Sequence, residues 1–313
     1  MTSPAAVPAC AAEVSAAAWT PAELLHDATP RRYSIEVMPR TADAISDFAA
    51  LLPRGTEIYI AHIKGTAFQD MLRTAVRVRR EGFVPIPHIL ARAIPDHATL
   101  ASMIDQYRHE ADVTRALVLA GSLDRVMGAF ADSNSLLRTG VFDRYGFTEL
   151  RVAGHPEGSR DIDVDGGIMN ANAALQGKQE YADMTDARLA IVSQFAFAAA
   201  PIRRWIKALR QQAITMPVHI GLAGPTTLPT LLKYATLCGI GPSIRVLRSH
   251  QHRMTHLLTS IAPNELHDDL QVWAGSHPEL GVAGFHVFPM GGIRPAAAWI
   301  AAARTRDRKR NIR

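Results

Sequence analysis

From residue 33 onward, short apolar runs alternate with stretches whose apolar residues return every three or four positions. The runs at 33–38, 57–63, 83–90, 115–120, 149–153, 188–194, 216–222 and 283–288 are mostly apolar and often β-branched, as strands buried on both faces are. Between them, Phe68, Met71, Leu72, Ala75 and Val76 form one helical stripe opposite Gln69, Asp70, Arg73 and Arg77. Ile202, Trp205, Ile206 and Leu209 form a second. Leu228, Leu231, Leu232 and Ala235 form a third, introduced by Pro225-Thr-Thr, with Gly239 past its end. Pro95 and Pro201 mark the starts of further helices, and the stretch 240–280 has room for two. Strands and helices in strict alternation predict a parallel sheet with right-handed crossovers. No hairpin signal leaves a natural edge, so a closed (β/α)8 TIM barrel over residues 31–303 is the expected fold. An open doubly wound sheet would carry a glycine-rich turn after its first strand, where this chain has Pro39-Arg-Thr.

Charge changes the picture only once it is located. Six of the ten residues 304–313 are Arg or Lys against one Asp, which equals the net +5 of the whole chain. The remainder balances, so the basic pI does not advertise a nucleic-acid surface, and 304–313 is expected to be a solvated tail. Residues 1–30, rich in Ala and Pro, read as a partly disordered lead-in and not as a signal peptide. Cys10 and Cys238 suggest neither a disulfide framework nor a zinc site. No apolar run approaches the ~20 residues of a membrane span, so a cytoplasmic protein with no membrane partner is expected. Assembly into a homo-oligomer is left open.

Candidate chemistry starts with Glu36, the single acid in the apolar run Tyr33-Ser-Ile-Glu-Val-Met38. A carboxylate buried there raises its pKa or finds a partner, and a raised pKa suits a general acid. An ion pair with Arg31, Arg32 or Arg40 is the structural alternative. In a barrel, functional groups gather at the C-terminal strand ends. Those ends hold Glu36, His62, His88, Gly121-Ser122, Gly154-His155, Gln194, Gly221 with Gly224, and His286 with Phe288. The histidines lack any fixed ligand spacing, so no metal site is expected. Ser122 has no nucleophile-elbow motif. The glycines permit close backbone approach to a ligand, or simply serve turns.

The order of these pieces resembles the methylenetetrahydrofolate reductase family across most of residues 33–292. The matching stretches are Ser34-Ile-Glu-Val-Met-Pro-Arg40, Pro87-His88, Leu119-Ala-Gly121, Gly154-His-Pro-Glu157, Leu175-x-x-Lys178, Val192-Ser-Gln-Phe195, Ile220-Gly-Leu-Ala-Gly-Pro225 and Gly284-Phe-His-Val-Phe288. The resemblance implies a barrel oxidoreductase that uses FAD to pass hydride between NADH or NADPH and tetrahydrofolate, interconverting the 5,10-methylene and 5-methyl forms. It implies that Glu36 protonates N10 and that Gln194, Ser122 and Phe288 contact the folate. His62, His88, Gly121, His155 and Lys178 would line the flavin, with Lys178 near its phosphates. The chain departs from the family pattern at Ala120-Gly121-Ser122 (for Arg-Gly-Asp), at Ser159-Arg160-Asp161, at Ala174 and at Phe288 (for Tyr). Those departures bear on FAD. The alternative implied is a flavin-independent methyltetrahydrofolate-binding barrel, either a direct nicotinamide reductase or a methyltransferase partner.

Overall fold

The computed structural model describes residues 32–121, 126–237 and 260–311. Ser122, Cys10, Cys238, Gly239, residues 1–30 and most of the stretch before residue 264 that precedes the last strand therefore lie outside the described residues. The strands are β1 (Arg32–Val37), β2 (Glu57–Ile60), β3 (Val84–Leu90), β4 (Arg115–Leu119), β5 (Glu149–Gly154), β6 (Arg188–Phe195), β7 (Val218–Ala223) and β8 (Val282–Phe288). They form a closed parallel barrel in sequence order, β8 pairing back onto β1. The protein is thus a (β/α)8 barrel, as the alternating pattern predicts. The described helices are α1 (Pro39–Asp43), α2 (Phe68–Arg80), α3 (His97–Ala111), α4 (Ser133–Leu137), α5 (Val141–Arg144), α6 (Met169–Ala182), α7 (Ala199–Gln211), α8 (Leu228–Leu237), α9 (Asn264–Ser276) and α10 (Ile293–Asn311). No helix among the described residues is long and apolar enough to cross a membrane.

Period-two alternation explains which residues face the axis. Tyr33, Ile35 and Val37 join the outer core against the helices, whereas Tyr59, Ile86, Leu117 and Val192 form a separate cluster inside the barrel. Below that cluster, towards the strands' N-terminal ends, the interior is ionic. Arg151 is 1% exposed, and its Nη2 lies 2.8 Å from Glu149 Oε2 and 3.3 Å from Glu57 Oε1. Arg115 reaches Glu57 at 2.5 Å, and Arg188 reaches Glu149 at 3.2 Å. Burial pushes Glu57 up, but the charges of Arg151, His219 and Arg115 outweigh it and hold the group at about 2. Glu57, Arg115, Glu149 and Arg188 each open a strand, so a ring of charge caps that end of the barrel.

Residues 304–311, expected as a solvated tail, instead continue α10. The reason is a buried anchor. Asp307 is fully buried and accepts a 2.6 Å hydrogen bond from the Tyr33 hydroxyl, while Arg310 pairs with Asp268 on α9 at 2.7 Å. The one acid among the basic residues thus fixes the segment to the outside of β1.

Candidate functional site

Glu36 and Ser34 share the inward face of β1, two residues apart, and Ser34 stands in register with His286 on β8. Ser34 Oγ and His286 Nδ1 are 3.0 Å apart, which orients the imidazole. His286 Nε2 then lies 4.0 Å from Glu36 Oε2. From the other side, His88 Nε2 lies 3.3 Å from the same oxygen. That nitrogen is buried and has no aligned hydrogen-bond partner among the described residues. The Tyr59 ring, in register with Glu36, packs on His286 at 4.4 Å between centroids and meets His88 edge-on at 6.4 Å. A carboxylate is therefore held between two imidazoles over an aromatic floor.

The electrostatics reverse one expectation. Burial pushes the Glu36 carboxyl up, but the hydrogen-bonding contact with His88, and then the electrostatic pull of the His88 and His286 imidazoles, outweigh it, and the group sits below the ordinary carboxylate range. Glu36 is therefore an anion at neutral pH in the free protein and not an acid kept protonated by an apolar strand. Its partners are imidazoles. The Arg32 charge acts instead on Glu57 and His219 at the far end of the barrel. His286 is held neutral, its pKa pushed down to about 4 chiefly by burial.

The remaining candidates fall into three groups. His62 follows β2, and its Nε2 is 3.2 Å from the Thr66 carbonyl; burial, and to a lesser degree the His88 imidazole, lower its pKa. Phe288 ends β8 with its ring edge-on to His286 at 4.6 Å and to Phe195 at 5.6 Å. Phe195 and Phe197, with Phe288, Met290 and Leu228 and Leu231 of α8, make a second apolar cluster at the mouth. Gly221 permits this: a Cβ there would lie 2.2 Å from the Ser193 carbonyl oxygen and 2.9 Å from the Phe288 ring. Gln194 ends β6, half-buried, beside this cluster. Across the barrel, His155 and Lys178 form a separate pair. Burial, and then the Lys178 charge, pushes His155 down to about 4; burial lowers Lys178 to about 8, against the opposing pull of Asp132. Gly121 follows β4 with φ of 89°, a backbone that a side chain would strain.

The structure thus joins Glu36 to His88 and, through His286, to Phe288, and sets His155 and Lys178 apart from them. Sequence reasoning gave no role to Ser34 or Tyr59, and it placed His286 among the strand-end candidates without assigning it one. The signal was present, because Ser34 with Glu36, and His286 with Phe288, are alternate polar or aromatic positions in otherwise apolar strands. Among the described residues, no group of three His, Cys, Asp or Glu side chains is placed to hold a metal ion.

No family model matches the chain. Among solved structures, an uncharacterized protein from Clostridium thermocellum that binds two copies of 5-methyl-5,6,7,8-tetrahydrofolic acid matches with a TM-score of 0.57 at 10% identity, over 90% of this chain and 98% of that one. A 2,3-dimethylmalate lyase of the PEP mutase/isocitrate lyase superfamily matches at 0.46 and 12%, over 91% and 84%. Yersinia pestis DHPS with a pterine-sulfa conjugate matches at 0.42 and 11%, over 88% and 95%. The first match establishes the shared fold. The other two are too distant to carry an argument.

Proposed function

We propose that this chain binds a reduced folate, 5-methyltetrahydrofolate in the first instance, at the mouth of the barrel and without a flavin. The observation that carries the reading is the ionised Glu36 set between His88 and His286. An anionic carboxylate offers two acceptor oxygens, which suits the paired N–H donors along a pterin edge. The half-buried amide of Gln194 offers a donor and an acceptor to a second edge, and Phe288 supplies an apolar ring for the flat heterocycle. The fold shared with a barrel that binds 5-methyl-5,6,7,8-tetrahydrofolic acid supports the ligand class. Titration calorimetry with 5-methyltetrahydrofolate tests it. Saturable binding that weakens about tenfold or more in Glu36→Gln is expected; no binding by the parent chain refutes the reading.

A second reading adds the chemistry of the resemblance: hydride transfer between NADH or NADPH and the one-carbon unit, interconverting 5,10-methylene- and 5-methyltetrahydrofolate. One observation favours it. Ser34 fixes His286 beside Glu36, so the carboxylate can gain or lose a proton through an imidazole once a ligand has covered the site. In this reading Glu36 takes up that proton and delivers it to N10. FAD, if held, would supply a relay for the hydride. His62, His88, Gly121, His155 and Lys178 would line it, and a phosphate beside the buried Lys178 amine would offset the burial that lowers that group to about 8. A visible spectrum and cofactor extraction of the purified protein test flavin retention independently of turnover. Oxidation of NADH or NADPH by 5,10-methylenetetrahydrofolate, with no flavin present, tests the direct route.

A further inference from the structure

The inward stripe of α6 contains a cation where its spacing calls for an apolar residue. Ala171, Leu175, Lys178 and Tyr181 are the buried positions of that helix, three or four residues apart. Lys178 is 6% exposed. No hydrogen bond or ion pair ties its amine to another described residue, and the amine is not among the polar atoms sealed from solvent. Asp132 attracts it, but that carboxylate is exposed and caps α4, accepting from the Ser135 N–H at 2.8 Å. An ammonium stripped of most of its water and given no partner is costly until a ligand supplies the missing anion.

The neighbourhood narrows the choice of anion. His155, which follows β5, is lowered to about 4 by burial and then by the Lys178 charge, so it is a neutral ring with one N–H to donate. The charges of Asp161 and Asp163 also act on His155, and Asp163 is buried at the start of α6, where it accepts from the N–H groups of Asn170 and Ala171. One ammonium thus stands near three acids. It can match a singly charged carboxylate, whereas each further negative charge of a diphosphate would be set against those acids.

In the closed strand order β5 stands opposite β1, so Lys178 and His155 lie across the mouth from Glu36. Beside β5, β4 ends on the partly buried Leu119 and the bare backbone of Gly121. A reduced folate has the same layout: a pterin at one end, a flat benzoyl ring in the middle, and the carboxylates of a glutamate at the other end. We propose that Lys178 anchors the glutamate tail of the folate, its ammonium pairing with a tail carboxylate to which His155 donates a second hydrogen bond. The site then prefers glutamate-bearing folates over ligands with an uncharged tail. This rests on the folate reading above and adds the residue that recognises the far end of the ligand.

Calorimetry with two ligands tests it: 5-methyltetrahydrofolate and its bis-amide, in which both tail carboxylates are carboxamides. The parent should bind the folate about tenfold or more tightly than the bis-amide, the difference that a charge-assisted pair makes. Lys178→Met keeps the length and the apolar stem, and should bind both ligands alike, at the parent's affinity for the bis-amide. Because Lys178 sits at about 8, the parent's affinity for the folate should fall as pH rises through 8, while that for the bis-amide stays level. Equal affinity of the parent for the two ligands overturns the proposal and leaves the folate reading standing; binding of neither overturns both. A preference for the folate that survives in Lys178→Met overturns the proposal as well, and loss of ADP binding in that same variant would then assign the cation to a phosphate. Should Lys178→Met fail to fold by circular dichroism, the parent decides: a folate preference that is level between about pH 7 and pH 9 overturns the proposal.

Discussion

Replacing Arg151 by leucine should show how much the barrel depends on its ionic end. Arg151 is the buried one of two cations, with Arg115, that bridge Glu149 and Glu57, and both acids are buried with it. Glu57 is held at about 2 against an ordinary 4.5. That depression contributes stability that is complete above about pH 4.5 and is lost as pH falls towards 2, worth about 3 kcal/mol at neutrality. Leaving buried carboxylates without their central partner costs about 3–5 kcal/mol by comparison with other broken buried pairs. Against a total of about 5–15 kcal/mol, Arg151→Leu should be folded but marginal at pH 8. With Arg151 gone, Arg115 still holds Glu57 at 2.5 Å, so the carboxyl rises from about 2 towards its ordinary 4.5, and the variant loses less stability than the parent as pH falls below 4.5. Urea unfolding of both proteins at pH 8 and pH 3 should show the deficit narrowing by about 1 kcal/mol or more at the lower pH. A deficit under about 1 kcal/mol at pH 8, or one that widens at pH 3, refutes the reasoning.

Three further outcomes follow from the mouth of the barrel and its interior. Ser34→Ala should leave His286 Nδ1 without its partner, cost about 1 kcal/mol, and change the imidazole tautomer seen by nitrogen NMR; an unchanged spectrum removes Ser34 from the site. The His286 and His219 rings are held at about 4 and about 3 against an ordinary 6.5, so they stay neutral when folded and take up protons on unfolding. Stability should therefore be complete above about pH 6.5 and decline as pH drops through 6.5 towards 4, and thermal melts across that range that stay flat contradict the assignment. Gly221→Ala places a Cβ 2.2 Å from the Ser193 carbonyl oxygen. It should cost more than about 2 kcal/mol and displace Phe288, which melting and folate titration report together.

The barrel was legible because its strands are short apolar runs between helical stripes, and the predicted and observed strands agree to within a few residues. The helix starts were legible too: Pro95 stands just before the Asp96 cap of α3, and Pro201 lies in the first turn of α7. Glu36 stood out as the single acid in its apolar run. Its ionisation state was not legible, because His88 and His286 come from strands 52 and 250 positions away and only the closed barrel brings them to one oxygen. Arg151 was missed for a similar reason. It sits in Glu149-Leu-Arg-Val152, where a strand reading registers the leucine and valine; its counter-charge Glu57 opens a different strand. Asp307 shows the converse error, since counting charge along 304–313 conceals the one side chain that docks the segment.

The salt-linked ring beneath Tyr59 has a further consequence for traffic. Arg151, Glu149 and Glu57 stopper the axis from below, so whatever reaches Glu36 must come and go by a single doorway. Two ligands sharing that doorway have either to lie against each other or to take turns. If they take turns, a departing ligand competes with the next arrival, and saturating either one should slow exchange of the other.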